Sequence, residues 1–494
     1  MSKPAVQERP SDATDQAVSD VRAALLAAQQ ELRHAAAGPV IVLLVGPETA
    51  GRGETADLLN AWMDPRGIVT RAWGTPSDEE RERPPFWRYW RTLPSRGQIA
   101  LFLSGWYGPP LLGRAERTIG KQAFDRRVAR IAALERALAD DGAVLVKCWL
   151  HVDHRTQRAR LESLASDPLR RWRAGKSQKQ RLNVHRRVVA AWKRAAAVTG
   201  TEQTPWHVID AAHRHHRDLA VATRVLEGIH AALAVPARGK PTRPEPEPAA
   251  EVSVEDHLGA LDLSLSIDRD RSRAELERQQ GRLYRAQQRA RERGVSTVVV
   301  FEGWDAGGKG GAIRRATAAL DARYYRVIPI AAPTDEELSH HYLWRFWRHL
   351  ARAGQIVIFD RSWYGRVLVE RVEKLARPSE WQRAYHEIRQ FEEQLVEHGT
   401  VVVKFWLHIS RDEQLRRFRE RERRSYKRWK ITDEDWRNRR KWKAYAAAVN
   451  EMVARTSTRG APWTLVEGND KRFARLKVVR TLADRLKRAI PRRG

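Results

Sequence analysis

The sequence predicts an α/β protein built twice over: two tandem domains, each a parallel sheet flanked by helices. Three observations carry this. Apolar runs of strand length alternate with longer amphipathic stretches, the pattern of strands buried on both faces by crossover helices. A glycine-rich turn follows one such run in the C-terminal half and opens a helix. The whole pattern also recurs at fixed spacing. Gly46 in LLVGPETAGRG matches Gly303 in VFEGWDAGGKG (303 − 46 = 257), and the same offset relates Trp87 to Trp344, Gly97 to Gly354, Lys147–His151 to Lys404–His408, and Pro205-Trp206 to Pro462-Trp463. A register held from Gly46 to Trp206 is a domain duplication, not a short-period solenoid.

Each element of the C-terminal copy follows from local pattern. A charged helix over 271–293 precedes a β-branched strand over 297–301. After the glycine-rich turn come a helix from Gly311, a strand over 327–330 and a helix over 335–353. A strand over 356–359, a helix over 380–398, a strand over 401–407 and long charged helices follow. Right-handed crossovers put ligands at the carboxyl ends of such strands. Between the copies, VPARGKPTRPEPEP alternates proline with charge, which packs no core and favours an extended linker. The expected division is a disordered start over 1–16, a first domain over 17–235, a linker over 236–250 and a second domain over 251–494.

Composition narrows the function. Of 494 residues 42% are apolar, enough for a core in each half. A net charge of +30 points to a polyanionic partner, although an arginine-rich composition accounts for part of it. The single cysteine, Cys148, excludes a disulfide within the chain and suits a reducing cytoplasm. The polar first residues lack the apolar stretch of a secretion signal, and no apolar run approaches the ~20 residues of a membrane span. A cytoplasmic protein with no membrane partner is expected.

Gly303-Trp304-Asp305-Ala306-Gly307-Gly308-Lys309-Gly310 fits G-x-x-x-x-G-K-x between a strand and a helix, the setting of a phosphate loop. Gly303, Gly307, Gly308, Gly310 and Gly311 let backbone N–H groups approach phosphate oxygens, and Lys309 bridges two phosphates. The same residues also suit an ordinary strand-to-helix turn. Gly310 stands where a metal-binding serine or threonine is usual, so a metal needs another holder. Asp360, at the end of the apolar strand Ile356–Phe359, supplies a carboxylate of that kind, with Arg361 beside it as a phosphoryl clamp. The run RRFRERERRSYKRWK over 416–430 reads as a solvated face, a nucleic-acid patch or a lid. As a lid, Lys427, Arg428 and Lys430 are its phosphate contacts. His340-His341 lacks the companions of a zinc site, and Trp344 and Trp347 have core spacing. The loop alone also suits an ATP-dependent kinase, and the charge alone a non-catalytic polyanion binder.

Taken together, FEGWDAGGKGGAI, APTDEE, WRFW, FDRSWYGRVLVERV, KFWLHIS and YKRWK, in that order over 258–475, resemble the polyphosphate kinase 2 family, and the duplication resembles its two-domain subgroup. The resemblance implies thymidylate-kinase-like P-loop domains, each with a helical lid, Mg²⁺ as cofactor, a homo-oligomer, and inorganic polyphosphate and AMP/ADP as partners rather than nucleic acid. It implies phosphoryl transfer from polyphosphate to AMP, with ADP or GDP as alternative acceptors. Carried over by position, Asp305 faces the acceptor phosphate or its metal, Lys309 holds the transferring phosphates, Asp360 binds Mg²⁺ with Asp305, and Arg361 stabilises developing charge. The N-terminal copy departs where it matters: Glu48 stands for Asp305, Ala50 for Gly307, Arg52 for Lys309, Leu103 for Asp360 and Ser104 for Arg361. That copy is expected to be catalytically inactive.

Overall fold

A computed structural model describes residues 12–169, 171, 176–235, 255–423 and 431–490. The linker over 236–250 and the lid candidates Lys427, Arg428 and Lys430 lie outside the described residues.

The N-terminal copy holds β1 (Val40–Val45), β2 (Ile68–Ala72), β3 (Ile99–Leu103), β4 (Val144–His151) and β5 (Trp206–Asp210), in the order β2-β3-β1-β4-β5. The C-terminal copy holds β6 (Thr297–Gly303), β7 (Tyr325–Pro329), β8 (Ile356–Asp360), β9 (Val401–His408) and β10 (Trp463–Glu467), in the equivalent order β7-β8-β6-β9-β10. The paired strands run parallel. The central strand β1 is wholly apolar and buried, and β6 is buried from Thr297 to Glu302 around the apolar run Val298–Phe301, as strands covered by helices on both faces must be. From β6 the chain leaves for the edge strand β7, returns to β8 beside β6, then crosses to β9 on the other side. The switch point therefore opens at the carboxyl end of β6. There the register sets Phe301 opposite Asp360 and Gly303 opposite Leu407.

The repeated WYG and K-x-W-L-H motifs are architectural. Lys404 Nζ is fully buried and donates to Glu392 Oε2 (2.7 Å), Tyr364 Oη (2.8 Å) and the Thr456 carbonyl (2.9 Å), while Trp363 and Tyr364 donate to Glu392 Oε1. Lys147 donates to Glu135 Oε2 (2.8 Å) and the Thr199 carbonyl (2.6 Å), with Trp106 and Tyr107 on Glu135 Oε1. A buried ion pair persists only when its remaining donors and acceptors are satisfied, and both copies do so, Lys404 with Tyr364 Oη as its third partner and Lys147 with Thr204 Oγ1 (3.4 Å).

Three expectations are corrected. The first helix begins at Asp12, inside the stretch expected to be disordered through Gln16. The helix expected over 335–353 is two short helices, Asp335–Leu338 and Trp344–Trp347. Turns over 339–343 separate them, and the chain changes compact unit between His341 and Tyr342. The compact units are accordingly not contiguous. One comprises the described parts of Met1–Pro76, Arg88–Gly239 and Asp335–His341, the other those of Ser77–Trp87, Lys240–Thr334 and Tyr342–Gly494. The segments 77–87 and 335–341 overlap at the repeat offset (335 − 78 = 257).

Candidate phosphate-transfer site

Strand β6 ends at Gly303 with φ +150°, where a Cβ would lie 2.6 Å from the Leu407 carbonyl oxygen. Only glycine lets the loop turn this close to β9. Gly308 (φ +110°) precedes the helix Lys309–Thr317. From outside, the buried guanidinium of Arg417 donates to the carbonyls of Ala306 (2.9 Å), Gly307 (3.2 Å), Gly468 (2.6 Å) and Asn469 (3.1 Å), and pairs with Glu413. The backbone N–H groups of Asp305, Ala306, Gly308, Lys309 and Gly310 have no acceptor among the described residues. With the helix N-terminus behind them, they form an anion nest. Gly310 is not packed against anything: a Cβ there would meet no atom within 4 Å.

These residues line a cleft of ≈ 750 Å³ that also takes in Asp360, Arg361, Asp435, Asn438, Lys471 and Arg475. Lys309 Nζ donates to the Gly303 carbonyl (2.6 Å) at the floor of the loop. Asp305 is held on both oxygens: Oδ1 accepts from Arg361 Nη2 (3.4 Å) and Oδ2 from Asn438 Nδ2 (2.9 Å). Arg361 takes φ +66°, an uncommon conformation for a non-glycine residue. The Asp360 carboxylate accepts no hydrogen bond from the described residues, and its backbone carbonyl ties down Ile330. The proposed quartet Asp305, Lys309, Asp360 and Arg361 is thus gathered in one cleft.

The surrounding shell was not evident from the motifs. Glu302 is buried behind the loop and accepts from Ser362 Oγ (2.7 Å). Burial pushes its carboxyl up, against the Ser362 hydrogen bond and the Lys309 and Arg361 charges. Asp435 is likewise pushed up, by burial and then by the Asp305 charge. Trp304 stacks on Trp442 at 3.7 Å and 8° between planes, and its Nε1 donates to His408 Nδ1 (2.9 Å). Burial holds His408 down to about 4, against Asp256 and Glu467, so the ring stays neutral and accepts that hydrogen bond. The internal repeat held one usable signal: Arg160 stands 257 residues before Arg417 and donates to the equivalent carbonyls of Thr49, Ala211 and Ala212.

The equivalent cleft of the N-terminal copy, ≈ 940 Å³, is satisfied by its own side chains. Arg52 donates to Ser104 Oγ and to Glu48 Oε1 (3.2 Å), and Arg181, in the place of Asn438, pairs with the same carboxylate. Burial pushes Glu48 up, but Arg52 and Arg181 outweigh it and hold the carboxyl below the usual range. The guanidinium of Arg217 occupies the space a Cβ on Gly51 would need. Ser104 keeps the left-handed backbone of Arg361 (φ +62°), but Leu103 offers no ligand atom. Val45 and Gly105 replace Glu302 and Ser362.

A parallel sheet with a lysine-bearing anion nest, a loop carboxylate and a strand-end carboxylate at its switch point is the arrangement of a phosphotransferase. The Polyphosphate kinase 2 (PPK2) family model matches residues 8–235 and again 266–493, and the chain belongs to that family. It is 49% identical over 481 residues to the polyphosphate:AMP phosphotransferase of Pseudomonas aeruginosa, covering 97% of this chain and 96% of that one. It is 45% identical over 489 residues to the enzyme of that name from Pseudomonas syringae pv. tomato, covering 97% of each. A crystal structure described as a polyphosphate kinase 2 from Pseudomonas aeruginosa superposes with a TM-score of 0.87 at 46% identity, over 97% of each chain.

Proposed function

We propose that this chain transfers the terminal phosphoryl group of inorganic polyphosphate to AMP, giving ADP and a chain one phosphate shorter, and that the C-terminal copy performs the chemistry. The observation that carries this is the loop–Asp360–Arg361 set gathered in one cleft of that copy, in a chain similar along nearly its whole length to enzymes named polyphosphate:AMP phosphotransferase.

An oxygen of the AMP phosphate attacks the terminal phosphorus in line. The new P–O bond forms as the bridging P–O bond breaks, and the electron pair leaves on the shortened chain. The AMP phosphate is already ionised, so Asp305 has no proton to remove; it orients, and is itself oriented by Asn438 and Arg361. Lys309 and the loop N–H groups hold the donor phosphates, and Arg361 gains most from the charge that develops on the equatorial oxygens. Asp305 and Asp360 would hold Mg²⁺, a hard cation that one or two carboxylates suffice to bind beside phosphate. Bound there, Mg²⁺ would neutralise phosphate charge. Lys427, Arg428 and Lys430 close over the chain as a lid. The N-terminal copy supports the fold without turnover, because its loop carboxylate is neutralised by two arginines and it lacks the strand-end aspartate. No helix among the described residues is long and apolar enough to cross a membrane. We place the enzyme in the cytoplasm as a homo-oligomer.

The test is ADP formation by purified protein from AMP, Mg²⁺ and long-chain polyphosphate. ADP that requires polyphosphate and is not formed with ATP as donor in its place supports the reading. Turnover with ADP or GDP but not AMP reassigns the acceptor, and binding without turnover leaves a polyanion-binding protein.

A further inference from the structure

The strongest unassigned feature of the catalytic unit is a groove of ≈ 1560 Å³ between the helices Arg269–Glu292 and Lys471–Ala489, which pack against each other. Arg285, Arg289 and Arg293 follow one another at four-residue spacing along its first wall, and Lys487 and Arg488 stand on the second. All five are exposed, and none of their side chains has a hydrogen-bond or ion-pair partner among the described residues, although Glu292 lines the same groove. The nearby Arg282 is, by contrast, spent on Asp484 (2.6 Å). Like charges at i, i+4 repel, so five unpartnered cations in one groove work against stability unless an anion meets them.

Arginine-rich composition does not account for this, because the duplication supplies an internal control. The first helix of the N-terminal copy, Asp12–His34, is displaced by one residue relative to the rest of the repeat. Gln29 brackets the backbone of Asp64 with its side-chain amide just as Gln287 brackets Asp321, giving an offset of 258 (287 − 29 = 258). At that register Arg285, Arg289 and Arg293 correspond to Ala27, Glu31 and Ala35, and at 257 Lys487 and Arg488 correspond to His230 and Ala231. The same helix pair, built from the same kind of sequence, carries no arginine or lysine at these five positions.

Resting on the proposed polyphosphate reading, we infer that this groove is a docking site for the polyphosphate chain, separate from the transfer cleft. One helix connects the two. Lys471 and Arg475 line the cleft at its start, whereas Lys487 and Arg488 line the groove at its end. Twelve residues separate Arg475 from Lys487 (487 − 475 = 12), or ~18 Å along the axis. A long chain spans that distance; tripolyphosphate is too short to do so. The groove lining holds no aromatic ring on which a base would stack, which favours polyphosphate over single-stranded nucleic acid. Anchoring a polymer there raises the local concentration of phosphoanhydride at the cleft without any new contact to the reacting atoms.

The test is the full-length triple variant Arg285→Gln/Arg289→Gln/Lys487→Gln beside a charge-matched control at exposed arginines of the N-terminal copy, Arg126→Gln/Arg127→Gln/Arg136→Gln. With long-chain polyphosphate the groove variant is expected to raise KM about tenfold at unchanged kcat. Its KM for tripolyphosphate should stay within about twofold of wild type, and the control should change neither. Equal changes for both donors, equal changes in the control, or no change at all would overturn the docking site. If the wild type makes no ADP from polyphosphate, the functional reading falls, and binding of end-labelled long-chain polyphosphate decides the groove alone. Weaker binding by the groove variant than by the control upholds it. Unchanged binding, or a larger loss for an oligodeoxynucleotide than for polyphosphate, refutes it.

Discussion

Arg417→Ala is the most informative single perturbation, because the duplication provides its own reference. The Arg417 side chain is 3% exposed and gives four hydrogen bonds to carbonyls, two on the phosphate loop and two on the turn after β10, while pairing with Glu413. Alanine would strand those acceptors and leave Glu413, 12% exposed, without its nearer guanidinium. Breaking a buried pair of this kind costs about 3–5 kcal/mol. For a unit of this size each kcal/mol moves Tm by about 2–4 °C, so a fall of roughly 6–20 °C is expected. Arg160 makes three of the four equivalent carbonyl contacts in the N-terminal copy, with Thr156 in the place of Glu413, so Arg160→Ala should lower Tm too, but by less. The copies part at the chemistry. A loosened loop at Lys309 should reduce kcat/KM by about 100-fold, whereas Arg160→Ala should stay within about threefold when assayed well below both transitions. Differential scanning calorimetry and initial rates of ADP formation read the two effects. Equal kinetic losses from both variants, or no loss of stability from either, would refute the view that the arginine presents the loop and that only one loop works.

Other consequences follow from the same geometry. Asp360→Asn should reduce ADP formation by at least about 1,000-fold and weaken its Mg²⁺ dependence; an unchanged Mg²⁺ titration would remove Asp360 from the metal site. In a Lys309→Ala background, Leu103→Asp should restore no metal-dependent transfer, because Arg52 and Ser104 still differ from the working set; recovered ADP formation would contradict this. Lys404→Met strands Glu392 and should destabilise by about 3–5 kcal/mol, with Lys147→Met doing the same beside Glu135, as chemical denaturation would report. His408 is held neutral at about 4, below its unfolded value, so the unfolded chain binds the extra proton first. Its contribution is therefore present above pH 6.5 and lost as pH falls toward 4, by about 3 kcal/mol in total. His408→Gln should flatten that part of the stability–pH curve, and an unchanged curve would count against the assignment.

Much of the fold was legible because apolar strand runs and a constant register are local signals. The run before Gly303 could only be a doubly covered strand, and the second copy repeated the evidence. Asp305, Lys309, Asp360 and Arg361 were legible because a phosphate loop and a strand-end carboxylate have fixed sequence neighbours. The shell was not, because it is assembled by tertiary contacts over long separations. Asn438 reaches Asp305 across 133 residues, and Arg417 reaches the Ala306 carbonyl across 111. Neither an asparagine in a charged helix nor one more arginine among many announces itself. Arg417 could still have been singled out, since Arg160 sits in register while the catalytic residues around it have changed. The broken helix after Thr334 was also missed: the stretch reads as one helix, and turns over 339–343 divide it.

The central claim, that one of two duplicated phosphate loops carries the reaction, is tested most directly by measuring ADP formed from AMP and long-chain polyphosphate by Lys309→Ala and Arg52→Ala side by side. ADP lost in Lys309→Ala and retained in Arg52→Ala is the expected result. Activity that survives Lys309→Ala, or disappears with Arg52→Ala in a protein that still folds, would contradict it.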